Sequence, residues 1–151
     1  MALTLVKETG AGLSNANSYA NAADGDAYHD GHLYAFSGRN EPDARFRCVD
    51  FKTGNLLWER DESWPPHSTL TPNVYGRGSC ILADGKLIAL GEGGLLGMFA
   101  LNSEKPEEIC RFQVPHLHYA CWAAPILSRK RLYLRSEDRL VCFDLGAKPK
   151  P

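Results

Sequence analysis

Arg47-Cys-Val-Asp-Phe-Lys-Thr-Gly-Asn-Leu-Leu-Trp-Glu-Arg60 reads as two strands joined by a tight turn. Cys48 and Asp50 alternate with Val49 and Phe51, so the first strand presents two different faces. Gly54 takes a positive φ without steric cost, and the chain reverses there. Asp50 and Thr53 are short hydrogen-bonding side chains that tie down turn amides, which favours a hairpin over a continued strand. Asn55-Leu56-Leu57-Trp58 opens the second strand, and Trp58 supplies a large apolar plate for packing on another sheet. An unrelated β domain can contain such a hairpin too, so the wider fold rests on repetition.

Asp30-Gly31-His32-Leu33-Tyr34-Ala35-Phe36 recurs as Asp84-Gly85-Lys86-Leu87-Ile88-Ala89-Leu90 and again as Arg129-Lys130-Arg131-Leu132-Tyr133-Leu134. A second set follows each: Cys48-Val49-Asp50-Phe51, Met98-Phe99-Ala100-Leu101 and Cys142-Phe143-Asp144-Leu145. Each unit is a turn, a strand, a hairpin and another strand, and the spacing of about 45–55 residues is that of stacked β repeats that bury each other's faces. Ser79 to Ala83 and Ala123 to Leu127 are candidate first strands, Pro125 suiting a strand start or an edge.

Cys48, Asp50, Thr53-Gly54 and Trp58 match Ala-x-Asp-x-x-Thr-Gly-x-x-x-Trp, and with the repeats they resemble the pyrroloquinoline-quinone-like β-propeller repeat family over residues 31–146. Only the first unit carries Asp50, Thr53, Gly54 and Trp58 together, with Cys48 in place of the usual Ala. The second has Ala100 where Asp is expected and a Pro106-containing loop, and the third keeps Cys142 and Asp144. The resemblance implies an all-β fold of about three antiparallel propeller-type blades, near residues 31–61, 77–115 and 123–146, with a tail at 147–151. Closed propellers need about four to eight blades, so three units make an incomplete propeller with apolar end faces. Self-association, a missing remainder or poor solubility is the expected consequence.

Residues 1–30 form a leader of another kind. Thr4-Leu5-Val6 is a short β-prone run, Gly10 to Asn17 is a loop, and Asn17 or Ser18 caps a helix predicted over Ser18 to Tyr28, with Tyr19, Ala22, Ala23 and Ala27 on one face. Gly25 weakens it by about 1 kcal/mol. Glu8 to Ala20, continued by Ala23 to His29, resembles the opening of small tailed-phage proteins of the head-to-tail junction, some of them labelled primosomal single-strand-DNA-binding proteins. That likeness covers residues 1–35. Up to Tyr34 one basic residue, Lys7, stands against Glu8, Asp24, Asp26 and Asp30, whereas the remainder is slightly basic. The two resemblances and the composition shift meet near Gly31 to Ala35, which points to a junction of unrelated segments, and so to a fragment or chimera.

A net charge of −1 gives no field that would gather nucleic acid, so no nucleic-acid partner is expected. No apolar run is long enough to span a bilayer, and the opening Met1 to Val6 lacks a basic start and a cleavage site. The chain as written is expected in the cytoplasm, while the propeller resemblance implies exported full-length relatives. Cys48, Cys80, Cys110, Cys121 and Cys142 are odd in number and contain no Cys-x-x-Cys, as in reduced, mostly buried thiols.

His116-Leu117-His118 with Cys121 is the metal candidate: alternation puts both imidazoles on one strand face, and Cys121 adds a third donor. A fourth is not evident beyond His67, and Pro115 makes a surface loop between blades the blander reading. Gly91-Glu-Gly-Gly-Leu-Leu-Gly97 lacks the spacing and the strand-to-helix setting of a phosphate loop and reads as a flexible hairpin tip. Trp64-Pro65-Pro66-His67 is a stiff aromatic loop that binds a partner or fills a gap between blades. Arg129, Lys130, Arg131, Arg135 and Arg139 make a basic hairpin, which reads as a solvated edge.

No catalytic residue is assigned. Asp50 belongs to the blade motif, and no Ser, His and Asp grouping stands out as a nucleophile with its base. By resemblance the quinone-dependent enzymes use a full ring, calcium, a catalytic Asp and often a vicinal cysteine pair, and this chain has no adjacent cysteines. The expectation is a non-catalytic scaffold or protein-interaction module without a cofactor, contacting a protein partner or its own copies through the end blades. The alternatives are a fragment of a quinoprotein oxidoreductase holding pyrroloquinoline quinone and a phage head-tail component.

Overall fold

A computed structural model of the chain describes residues 27–37, 43–64 and 73–146. They form three antiparallel meanders and no helix. The first sheet is β1 (Ala27–His29), β2 (His32–Ser37), β3 (Arg45–Asp50) and β4 (Leu56–Asp61), in that order. The second is β5 (Ser79–Ala83), β6 (Lys86–Leu90), β7 (Leu95–Ala100) and β8 (Glu107–Gln113). The third has three strands, β9 (Ile126–Ser128), β10 (Arg131–Arg135) and β11 (Leu140–Asp144).

The recurring turn explains the repeat. Asp30-Gly31, Asp84-Gly85 and Arg129-Lys130 all have positive φ at both positions, the two-residue hairpin geometry whose twist suits the flanking strands. Asp-Gly meets that demand at little cost, whereas Arg129-Lys130 places two Cβ atoms in the left-handed region.

Face patterning sets the stacking order. In β3, Phe46 and Cys48 are buried and their neighbours less so, the pattern of a sheet packed on one side. In β6 every residue from Leu87 to Leu90 is buried, which a strand achieves only between two other layers. Two apolar cores follow. One joins the first and second sheets through Tyr34, Phe46, Cys48, Trp58, Leu87 and Phe99. The other joins the second and third through Ile88, Leu90, Leu96, Leu132 and Leu134. The second sheet is the middle of a three-layer stack, and β1 and β2 run against β5.

The predicted Ser79 to Ala83 strand is β5. The strand predicted from Ala123 begins instead at Ile126, because Pro125 has no N–H to give the ladder. Ala27 and Tyr28, predicted at the end of a helix, are strand: the Asp30-Gly31 turn folds them back onto Tyr34 and Leu33, and Ala27 enters the core. The rest of that helix, Thr4 to Val6, Pro65 to His67 and the 147–151 tail lie outside the described residues.

Candidate functional site

A meander puts alternate connections at opposite ends. One end carries the β1–β2 and β3–β4 type turns, and the other carries the middle turns and the crossings between sheets.

The motif of the opening hairpin sits at the turn end. Asp50 Oδ1 accepts the Thr53 amide at 2.7 Å and the Thr53 hydroxyl at 2.8 Å, while Gly54, at φ 75°, donates its amide to the Asp50 carbonyl at 2.8 Å. Trp58 crosses to the next sheet: its indole N–H donates to the Asn102 carbonyl at 2.8 Å, and its ring meets Phe46 edge-on. Asn102 was not legible in the sequence. It stands two residues beyond Ala100, the residue in register with Asp50, and its Oδ1 accepts the Glu104 amide at 2.8 Å. The second blade keeps an Asx turn and shifts it along the chain.

Thr53, donating through hydroxyl and amide, holds the Asp50 carboxyl below the usual range. A depressed folded value means that the contribution of this turn is complete above about pH 4 and is lost as acid titrates Asp50 below it. Asp50→Ala is therefore expected to be less stable than the parent chain at neutral pH. Urea titrations should show the gap closing as the pH falls below about 4, where Asp50 in the unfolded chain takes up its proton.

At the crossing end, Tyr75 is wholly buried, with its backbone against Gly91 and its ring over Gly97. Its hydroxyl donates to Glu108 Oε1 at 2.7 Å, and its amide donates to Glu62 Oε2 at 3.0 Å. Arg60 bonds Glu62 through Nε and Glu108 Oε2 at 2.8 Å, with its guanidinium 5.0 Å from the Phe99 ring centre. Burial, helped by the Glu108 carboxylate, pushes the Tyr75 phenol well above its ordinary range. Glu92, in the Gly91–Gly97 run, accepts the Arg77 amide at 3.0 Å and pairs with its guanidinium at 3.2 Å. The Glu92 backbone links two crossings, its N–H donating to the Tyr75 carbonyl at 3.0 Å and its carbonyl accepting the Cys121 amide at 2.9 Å.

This corrects the expectation of a flexible tip. Residues 91–97 are buried throughout, and Gly91 and Gly97 are small because Tyr75 lies on them. Each of the three carboxylates has a guanidinium, and Glu62 and Glu92 also accept backbone amides, which makes this network a lock between sheets.

The metal candidate comes apart. His116 has φ 65°, which breaks the strand that alternation required, and residues 114–125 are a turn and irregular crossing. His116 and His118 are exposed, whereas Cys121 is fully buried and its thiol donates to the His118 carbonyl at 3.0 Å. Burial pushes that thiol up to about 11, away from the thiolate a metal site uses. Among the described residues no three His, Cys, Asp or Glu side chains gather to hold an ion.

The two crossings share an aromatic row. Trp64 meets Tyr119 edge-on at 5.8 Å, and Tyr119 meets Trp122 at 5.9 Å and 83°. Tyr119 is 52% exposed and Trp122 58%. Trp122 lines two hollows, one of about 230 Å³ with Arg135, Ser136 and Glu137, the other of about 300 Å³ with Arg77 and Gly78. The basic hairpin residues Arg129, Lys130 and Arg131 are exposed at the turn end, as a solvated edge should be.

Two solved structures repeat the arrangement of stacked meanders. BamB from Moraxella catarrhalis superposes with a TM-score of 0.51 at 17% identity over 78% of this chain. A europium-containing methanol dehydrogenase does so with 0.50 at 15% identity over 80%. The fold is that of a β-propeller. This chain spans 29% and 22% of those two proteins, respectively, and its three blades make an incomplete propeller. No family model and no curated protein matches it. The likeness of residues 1–35 to phage head-tail proteins finds no support in these neighbours. Among the described residues no helix is long and apolar enough to cross a membrane.

Proposed function

We propose that the chain is a non-catalytic protein-interaction module, a portion of a larger propeller that meets its partner with the crossing end of the stack. The carrying observation is the Trp64, Tyr119 and Trp122 row, whose last two rings stand more than half exposed, Trp122 between hollows edged by Arg77 and Arg135. Trp, Tyr and Arg dominate the residues that supply binding energy at protein interfaces, and rigid rings lose little entropy when covered. The Arg60, Glu62, Glu92 and Glu108 network fixes the crossing that carries Tyr75 and Arg77, Glu62 accepting the Tyr75 amide and Glu92 the Arg77 amide.

The outer face of the third blade belongs to the same reading. Ile126, Tyr133 and Cys142 lie side by side across it, Ile126 and Leu140 are 62% and 69% exposed, and a further blade or a second copy covers it.

The alternative reading, a fragment of a quinone-dependent oxidoreductase, shares this fold, and a stoichiometric absorbance change on titration with pyrroloquinoline quinone would favour it over the scaffold. Arg60 is paired with Glu62 and Glu108 and Arg77 with Glu92, and the five cysteines include no adjacent pair.

The test is site-specific photocrosslinking, with the reactive side chain at Glu137 on the crossing end or at Lys52 on the turn end, followed by binding measurements on the purified adduct partner. Adducts are expected from Glu137, and Trp122→Ala should weaken the purified complex at least about 30-fold while leaving the fold intact. Adducts formed from Lys52 alone, or a Trp122→Ala chain that binds as tightly as the parent, would overturn the proposal.

A further inference from the structure

The repeat lets the two interblade spaces be compared residue by residue. Cys48 pairs with Trp58 in the first blade and Met98 with Cys110 in the second, each pair just before the same irregularity in register. Cys110 therefore stands where the indole of Trp58 stands one blade earlier. Between the first and second blades that indole is buried, and its N–H is bonded to Asn102.

Between the second and third blades a cavity of about 170 Å³ opens at the same place. Its second-blade wall includes Ile88, Leu96, Met98 and Cys110, the register counterparts of Tyr34, Phe46, Cys48 and Trp58, together with Phe112, which stands where the first blade has Arg60. Its third-blade wall includes Leu132, Phe143 and Leu145, counterparts of Leu87, Phe99 and Leu101. Two rings and an indole on one side have become aliphatic chains and a thiol, and the space they leave is apolar throughout. It is reached from outside, since Cys110 is exposed and Phe112, also lining it, is 47% exposed.

We propose that this cavity is a binding site for a free planar aromatic molecule of indole size. Its walls correspond by register to those that hold the indole of Trp58. Size agrees as well: an apolar protein cavity of about 150 Å³ stays dry and takes up a benzene ring, and this one is larger and open on one side. The site lies between strands at the blade rim, so it is independent of the aromatic row and of the interaction reading.

The full chain has two methionines, Met1 and Met98, and Met98 lines the cavity. In protein labelled at the methionine methyls, indole titration is expected to move the Met98 signal saturably and leave that of Met1 in place. Cys110→Trp, which returns the indole to its blade position, should lose at least tenfold in indole affinity. Cys110→Leu, which fills part of the space, should bind more weakly than the parent chain and decides the matter if the tryptophan variant does not fold. A Met98 signal unmoved up to the solubility of indole, or a folded Cys110→Trp or Cys110→Leu chain binding indole like the parent, overturns the site.

Discussion

Trp58→Ala is expected to be among the most damaging single substitutions in the chain, costing about 3–5 kcal/mol, the range for truncating a buried Trp or Phe. The indole is buried between the first and second blades and touches Phe46 and Tyr34 in its own sheet. Its N–H is bonded to the Asn102 carbonyl of the next sheet. Removing it opens a void and leaves that carbonyl without its indole donor, so both terms act in one direction. Against a domain stability of about 5–15 kcal/mol this is a large fraction, and the urea midpoint is the readout. Trp122→Ala, at an exposed ring, is the internal control and should move the midpoint little.

Gly97→Ala is expected to rival it. A Cβ at that position would overlap the Tyr75 hydroxyl and lie 2.7 Å from Cζ of the same ring. Tyr75 cannot yield, because its hydroxyl is held by Glu108, its amide by Glu62 and its carbonyl by the Glu92 amide. Overpacking and the loss of a buried charge-assisted hydrogen bond together cost about 3–5 kcal/mol. Placing Tyr75→Phe in the Gly97→Ala background removes the overlapping oxygen, and the pair should be less unstable than the sum of the single changes by at least about 1 kcal/mol. Strict additivity of the two would mean that the ring does not lie on Gly97.

What was legible in the sequence is what is local. Asp50, Thr53 and Gly54 form one turn within five residues, and their chemistry needs no distant partner. The Asp-Gly turns repeat because each hairpin demands the same positive φ pair. Stacking was legible as far as units recurring about every 45–55 residues bury each other's faces, while the burial of Leu87 to Leu90 on both faces came only from the structure.

The lock at the crossing end was not legible, since Arg60 and Glu62, Tyr75, Glu92 and Glu108 come from four separate stretches. Singly they look like surface charges or an ordinary core ring. Glu92 did carry a signal: a lone carboxylate inside a run of glycine and leucine, which folding can bury only with a partner. The histidine pair misled for a related reason. Period-two spacing implies a shared face only where the backbone is extended, and His116 is left-handed. Cys110 looked like an ordinary thiol until the registers set it opposite Met98, where the first blade has Trp58 opposite Cys48.

Amide exchange of the indole N–H groups tests the stacking of blades most directly. The chain has three tryptophans, so tryptophan-labelled protein gives three indole signals, with Trp58→Phe identifying the one of interest. If Trp58 bridges the first two blades, its N–H should exchange orders of magnitude more slowly than that of exposed Trp122 and should tend toward the rate of global unfolding. A Trp58 indole that exchanges as fast as Trp122 in the folded chain would contradict the bridge and the stacked-blade architecture built on it.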